Sequence, residues 1–161
     1  MKRRWLWWLI AIMLGGCASA PDQPTMMRQA LVGLSDRAAR LVLADPVWDL
    51  PTADVVVLLA PPEVDEQLGI GTERFHENLS RALLAQQEGP QLLDWTPAMD
   101  SAEAPANQWL LECRLAADGP RLRLSDRELL PYRLTLSLRR PGDGAPRWQQ
   151  HISGAIDASA L

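Results

Sequence analysis

Residues 132–139 alternate without a fault. Tyr132, Leu134, Leu136 and Leu138 share one parity, and Arg133, Thr135, Ser137 and Arg139 share the other. A period of two specifies a β-strand with one buried face and one wet face. Pro141-Gly142-Asp143-Gly144 follows, a turn sequence that sends the chain back on itself. Arg147–Ile156 is the returning strand, with Trp148, Ile152 and Ile156 on one parity. Gln108–Ala117 alternates in the same way: Trp109, Leu111, Cys113 and Leu115 face one way, Glu112 and Arg114 the other. Leu122 and Leu124 begin a further strand with Arg121 and Arg123 opposite, and Ser125–Pro131 reads as a break. Such a sheet needs cover on its apolar side.

The first half supplies that cover. Met27, Ala30, Leu31, Leu34, Ala38, Leu41 and Val42 recur at helical spacing, which predicts a helix over Met26–Ala44 ended by Asp45-Pro46. Gly33 and a capping Ser35-Asp36 leave open a break into two short helices. Ala53–Ala60 is a continuous β-branched and Leu run, as expected of a central strand buried on both faces. Pro61-Pro62 stops it, and Glu63–Gly71 reads as an acidic loop. Thr72 reads as the N-cap of a second helix that runs to about Gln87, with Phe75, Leu79, Ala82, Leu83 and Gln86 on its apolar side. Gln91–Trp95 is a short strand, and the Ala- and Pro-rich Thr96–Asn107 a loop. The expected architecture is a two-layer α/β sandwich. Its mixed sheet has about four strands and ends in an antiparallel hairpin, with helices on one face.

The amino terminus is of another kind. Lys2, Arg3 and Arg4 precede an apolar run, Trp5–Leu14, and then Gly15-Gly16-Cys17. This is the layout of a secretory signal, and the run is half the roughly 20 residues a membrane span needs. Leu14-Gly15-Gly16-Cys17 resembles a bacterial lipobox. The resemblance implies cleavage before Cys17, diacylglycerol on its thiol and acylation of the new amino group. Ala18 at the next position implies sorting to the outer membrane, on its periplasmic face. Each buried CH₂ contributes about 0.8 kcal/mol, so three acyl chains would hold the protein there permanently. Residues 1–16 are then signal, 17–25 the lipidated Cys17 and a short Pro-containing tether, and 26–161 a single domain. Seven extended tether residues, Ser19–Thr25, reach about 25 Å at most.

Charge is unevenly spread. Residues 17–112 hold 5 Arg and 15 acidic residues, whereas 113–161 hold 8 Arg and 5 acidic residues. The acidic part argues against nucleic acid, and the Arg-rich part suits an acidic protein partner. Once residues 1–16 are removed, every remaining base is Arg or His. With Cys17 lipidated, Cys113 is the only thiol, so no internal disulfide forms, and its parity predicts burial. His76 and His151 lack metal-ligand spacing, and no nucleophile elbow, Walker loop or dinucleotide motif is present. No metal, no cofactor and no enzymatic activity are therefore expected. A hydrolase built on Glu63, Asp65 or His76 is the remaining catalytic alternative.

Several segments together resemble the LpoB family, outer-membrane lipoproteins that activate penicillin-binding proteins. They are Leu43-Ala44-Asp45-Pro46, the strand Asp54–Pro61, the helix Thr72–Ala85 with Leu79-Ser80-Arg81-Ala82-Leu83-Leu84, the strand Tyr132–Leu138, the Gly142 turn and Trp148. The resemblance spans about Leu34–Ile156. It implies a small α/β domain related to the amino-terminal domain of TolB. It also implies a non-catalytic role: docking on a bifunctional penicillin-binding protein and stimulating peptidoglycan synthesis. Where the family has a further helix, this chain has only Thr96–Asn107, and where the family often has a long tether, this one is short. Arg121, Arg123, Arg133 and Arg139, on the expected solvent face, are the candidate partner contacts. The alternative role is a structural or assembly lipoprotein of the outer membrane.

Overall fold

A computed structural model describes residues 23–44 and 46–157. Cys17 and most of the tether lie outside the described residues. Helix α1 spans Gln23–Ala44 and helix α2 Thr72–Leu84. The strands are β1 Val56–Leu59, β2 Glu63–Val64, β3 Gln91–Asp94, β4 Gln108–Ala117, β5 Leu122–Arg123, β6 Glu128–Arg139 and β7 Trp148–Asp157. All seven belong to one mixed sheet, more strands than the four expected. β2 is only two residues long and leaves no periodicity, and β5 keeps only two residues of the further strand read at Leu122 and Leu124.

β1 lies between β3 and β4 and runs parallel to both, pairing Val56 with Gln91 and with Gln108. β4 and β6 are antiparallel, with Cys113 opposite Leu136, and β6 and β7 are antiparallel, with Leu134 opposite Ile152. β2 continues the lane of β1 along β4, and β5 continues the lane of β4 along β6. The sheet therefore has five lanes, edged by β3 and β7.

The helices cover one face. α1 buries Met27, Leu31, Leu34, Ala38, Ala39 and Val42, and α2 buries Phe75, Leu79, Ala82 and Leu83. They pack on the inward residues of the strands, among them Val57, Leu59, Leu111, Cys113, Leu115, Leu134, Leu136, Leu138 and Ile152. Each large apolar side chain buried here contributes about 1.5–3 kcal/mol. α1 runs unbroken through Gly33, and Ser35 is fully buried inside it rather than capping a restart. The cap of α2 also differs: Gly71 is the N-cap and Thr72 the first helical residue. The helix ends at Leu84, short of Gln87, in a turn that carries Glu88 at φ 56°. Asn78 is buried. It donates to the Arg74 carbonyl at 2.7 Å and accepts from Arg81 at 3.3 Å.

β1 is buried on both faces, as its unbroken apolar run predicts. Leu58, Ala60 and Leu110 form a second, small core on the far side, covered by Val56, Trp95 and Met99. The 95–107 segment thus closes over the sheet without forming the family's helix; its only helical element is the short 3₁₀ turn Pro97–Met99.

Candidate functional site

The far face of the sheet is wet beyond that small core, and of the four sequence-predicted contact residues Arg133 and Arg139 lie on it; Arg123 stands opposite Glu128, on the parity of Leu130 and Leu134, so the four arginines do not share the expected solvent face. They do not behave alike. Arg139 is mostly buried and spent internally. Its guanidinium binds Asp100 through both arms at 2.8 and 2.9 Å, and it also reaches Glu112 at 3.3 Å and the Asp143 carbonyl at 3.1 Å. Asp100 in turn accepts the Gly142 N–H at 2.6 Å. Arg139 hydrogen bonding, then the Gly142 N–H, pull the Asp100 carboxyl down to about 2. This is a clasp that holds the 95–107 segment against the β6–β7 turn. Neighbouring Arg140 bonds the carbonyls of Ala106 and Gln108 and lies 4.9 Å over the Trp109 ring. Gly142 completes the closure. Its φ is +81°, and a Cβ there would sit 2.5 Å from the Ala102 nitrogen.

Arg133 is half exposed and bound to Asp118 at 3.1 Å. Arg121 and Arg123 stand on either side of Glu128, at 3.7 and 3.5 Å. At those distances the pairs are loose, and Arg123 is 87% exposed. Between and beside them Leu122 and Leu124 are 49% and 53% exposed. Sequence reasoning had turned these leucines inward. β5 is only two residues long, and its register sets Leu122 opposite Leu129, on the parity of Arg133 and Thr135, so Leu122 points to the wet face. The signal was present in the flanking turns, Asp118-Gly119-Pro120 and Ser125-Asp126, which leave no room for a longer strand. The result is an exposed tip, Arg121-Leu122-Arg123-Leu124, that mixes aliphatic surface with guanidinium groups. Those are the ingredients of a protein contact rather than of a solvated loop.

The carboxylates and histidine considered for hydrolysis do not meet. Asp65 caps the following 3₁₀ turn by accepting from the Gln67 N–H at 2.9 Å, and it accepts from the Ala117 N–H at 3.3 Å. Glu63 faces Arg114 at 3.7 Å. His76 is across the molecule on α2, paired with Asp94 at 3.1 Å. Cys113 is buried, and burial pushes its thiol up to about 12, so it carries no nucleophile at neutral pH. A groove of about 520 Å³ crosses the wet face between Trp95 and Pro61 on one side and Arg114, Thr135 and Ser137 on the other. Among the described residues no cluster of His, Cys, Asp and Glu is arranged for a metal, and no helix is long and apolar enough to cross a membrane.

No family model and no curated protein matches the chain. Solved structures to which the chain is similar over part of its length include these three. Lipoprotein GNA1162 of Neisseria meningitidis is 12% identical, with 65% of this chain and 85% of that one covered at a TM-score of 0.41. The hypothetical protein CT253 of Chlamydia trachomatis is 11% identical, with 65% and 74% covered at 0.45. Protein XCC0632 of Xanthomonas campestris is 11% identical, with 71% and 73% covered at 0.45.

Proposed function

We propose that this chain is a lipid-anchored, non-catalytic binding protein of the outer membrane. In this reading it docks on a bifunctional penicillin-binding protein and activates its synthesis of peptidoglycan. The observation that carries the docking surface is the exposed Arg121–Leu124 tip, which offers two loosely held guanidinium groups and two exposed leucines on one short element. An acidic, partly apolar patch on the partner is its complement. The lipobox at Leu14–Cys17 supports the anchor, and the resemblance of the Leu34–Ile156 segments to the LpoB family supports the choice of partner. Arg139 is withdrawn from the contact set because the clasp consumes it, and Arg133 stays at its margin.

The test is a pull-down with the periplasmic part of the cell's bifunctional penicillin-binding proteins, alongside glycan polymerisation with and without this protein. Binding lost in Leu122→Ser/Arg123→Glu supports the reading. No binding and an unchanged polymerisation rate refute it.

One observation favours the structural or assembly role instead. α1 already begins at Gln23, so only Ala18–Asp22 separate Cys17 from the folded domain. Five residues span about 20 Å at most. A globule held that close to its membrane suits partners in the same membrane. Lengthening the tether separates the two: activation of a distant synthase rises with reach, and a local assembly role does not.

A further inference from the structure

The two edges of the sheet are treated differently. β3 is four residues long, follows Pro90 and carries Asp94, which is tied to His76. Short length, proline and charge are the usual protections of a strand edge. β7 has only one of them, the charge of Asp157 at its very end. It is ten residues long, and 148–156 contain no Asp, Glu, Lys, Arg or Pro in a chain that is 22% charged. Among the described residues it pairs with β6 alone.

The direction of its free backbone groups follows from Pro131. The Pro131 carbonyl accepts from the Asp118 N–H, so that residue's polar groups point away from β7. Pro131 stands opposite Ala155 in an unbroken register, and in an antiparallel ladder outward and inward pairs alternate. Hence the N–H and C=O of Gln149, His151, Ser153 and Ala155 point out of the sheet. Their side chains lie on the wet face, while Trp148, Ile152 and Ile156 lie toward the helices.

We propose that β7 is a self-association edge, pairing antiparallel with β7 of a second copy about a two-fold axis at Ile152. This goes beyond the docking role and does not use the Arg121–Leu124 tip. Three features select a second copy and this register. The outward residues match each other, Gln149 opposite Ala155 and His151 opposite Ser153, so every outward amide finds a carbonyl. Trp148 stands opposite Ile156 of the second copy and Ile152 opposite its own mate, so the apolar parity runs on across the seam, with both isoleucines already covered within their own copy. Arg147, which binds Asp143 of its own copy at 2.9 Å, falls opposite Asp157 of the second copy at both ends, so opposite charges meet there and no like charges oppose each other. A shift of two residues sets Gln149 against Asp157 and loses both the ionic and the Trp148–Ile156 pairs.

The full chain in detergent micelles, compared with Ser153→Lys/Ala155→Lys, provides the test. Both positions are exposed, so the variant keeps the core and its circular dichroism. The added lysines crowd the axis and the adjoining pairs. The expected result is a dimer by light scattering, and half the protein mass per particle for the variant. Amide exchange gives a second readout: Gln149 and His151 are protected in the native protein and exposed in the variant, while Gln150 and Ile152 stay protected in both. A monomeric native protein refutes the proposal, and so does a dimer that survives the two lysines. A monomer with protected Gln149 and His151 amides also refutes it, because another strand then covers the edge.

Discussion

Replacing Arg139 with Ala tests the largest single claim made for the far face. The side chain is 13% exposed and its main partner Asp100 is 28% exposed, so this pair is drier than an ordinary surface ion pair. Hydrogen bonds to charged groups contribute about 1.5–3 kcal/mol, and exposed pairs about 0–1. For a forked, partly buried clasp we expect a loss of about 2 kcal/mol. With a urea slope of roughly 2 kcal/mol/M, the unfolding midpoint falls by about 1 M. The assay is urea unfolding of a Cys17→Ala protein exported under a soluble signal, followed by tryptophan fluorescence.

Acid supplies the control. Asp100 sits near 2 in the folded state against a reference value of 3.8. A depressed carboxyl stabilises the fold above its unfolded pKa, and that contribution fades as pH falls from about 4 to about 2. Arg139→Ala should therefore flatten the acid limb of the stability curve as well as lower its plateau. Arg139→Lys, which keeps the charge without the fork, should lose about half as much. A midpoint shift below about 0.3 M, or parallel acid limbs in the two proteins, would show that the clasp contributes nothing and that the 95–107 segment is held by its other contacts, Trp95 and Met99 on the small core and Arg140 on Ala106.

Ser35→Ala should leave stability unchanged or raise it slightly in the same titration, because Ser35 Oγ is buried without a hydrogen-bond partner. Gly142→Ala should destabilise by about 2 kcal/mol or more, since it combines a left-handed backbone with a clash at Ala102. Leu134→Ala should lose about 2–5 kcal/mol, as expected for a fully buried leucine between two strands and the helices. In the Cys17→Ala protein, Cys113 should resist thiol reagents at neutral pH until denaturant unfolds the chain, which labelling kinetics would follow directly.

Much of the architecture was written in periodicity. β4 alternates along its ten residues and β6 over residues 132–139, long enough for the buried parity to be read one strand at a time, while β7 shows it at Trp148, Ile152 and Ile156. β1 announced burial on both faces by having no polar parity at all. What failed was short or non-local. Pro131 read as a break, yet β6 passes through it. It is tolerated because its missing N–H would point into the gap between the end of β4 and the start of β5, where no ladder bond is needed. Leu122 and Leu124 alternate with arginines, but the pairing of Leu122 with Leu129 sets the leucine parity on the wet face. Arg139 and Arg133 share a parity in sequence, but only Arg139 lies beside Asp100, 39 residues away, and no local pattern encodes that meeting. The surface proposed for docking was therefore legible as an Arg-rich stretch, while the division of those arginines between clasp and tip required the fold.

The placement of β1 also governs how the chain is assembled in time. Val56 finds one neighbour at Gln91 and the other at Gln108, and its far-side cover at Trp95 and Met99. Synthesis proceeds at about 5–20 residues per second, so the run from Val55 to Ala60 waits some 3–10 s for its last partner. With the export signal expected at residues 1–16, that interval is an asset. The segment that completes the fold is made late, so the central strand stays unpaired and threadable until most of the domain has left the ribosome.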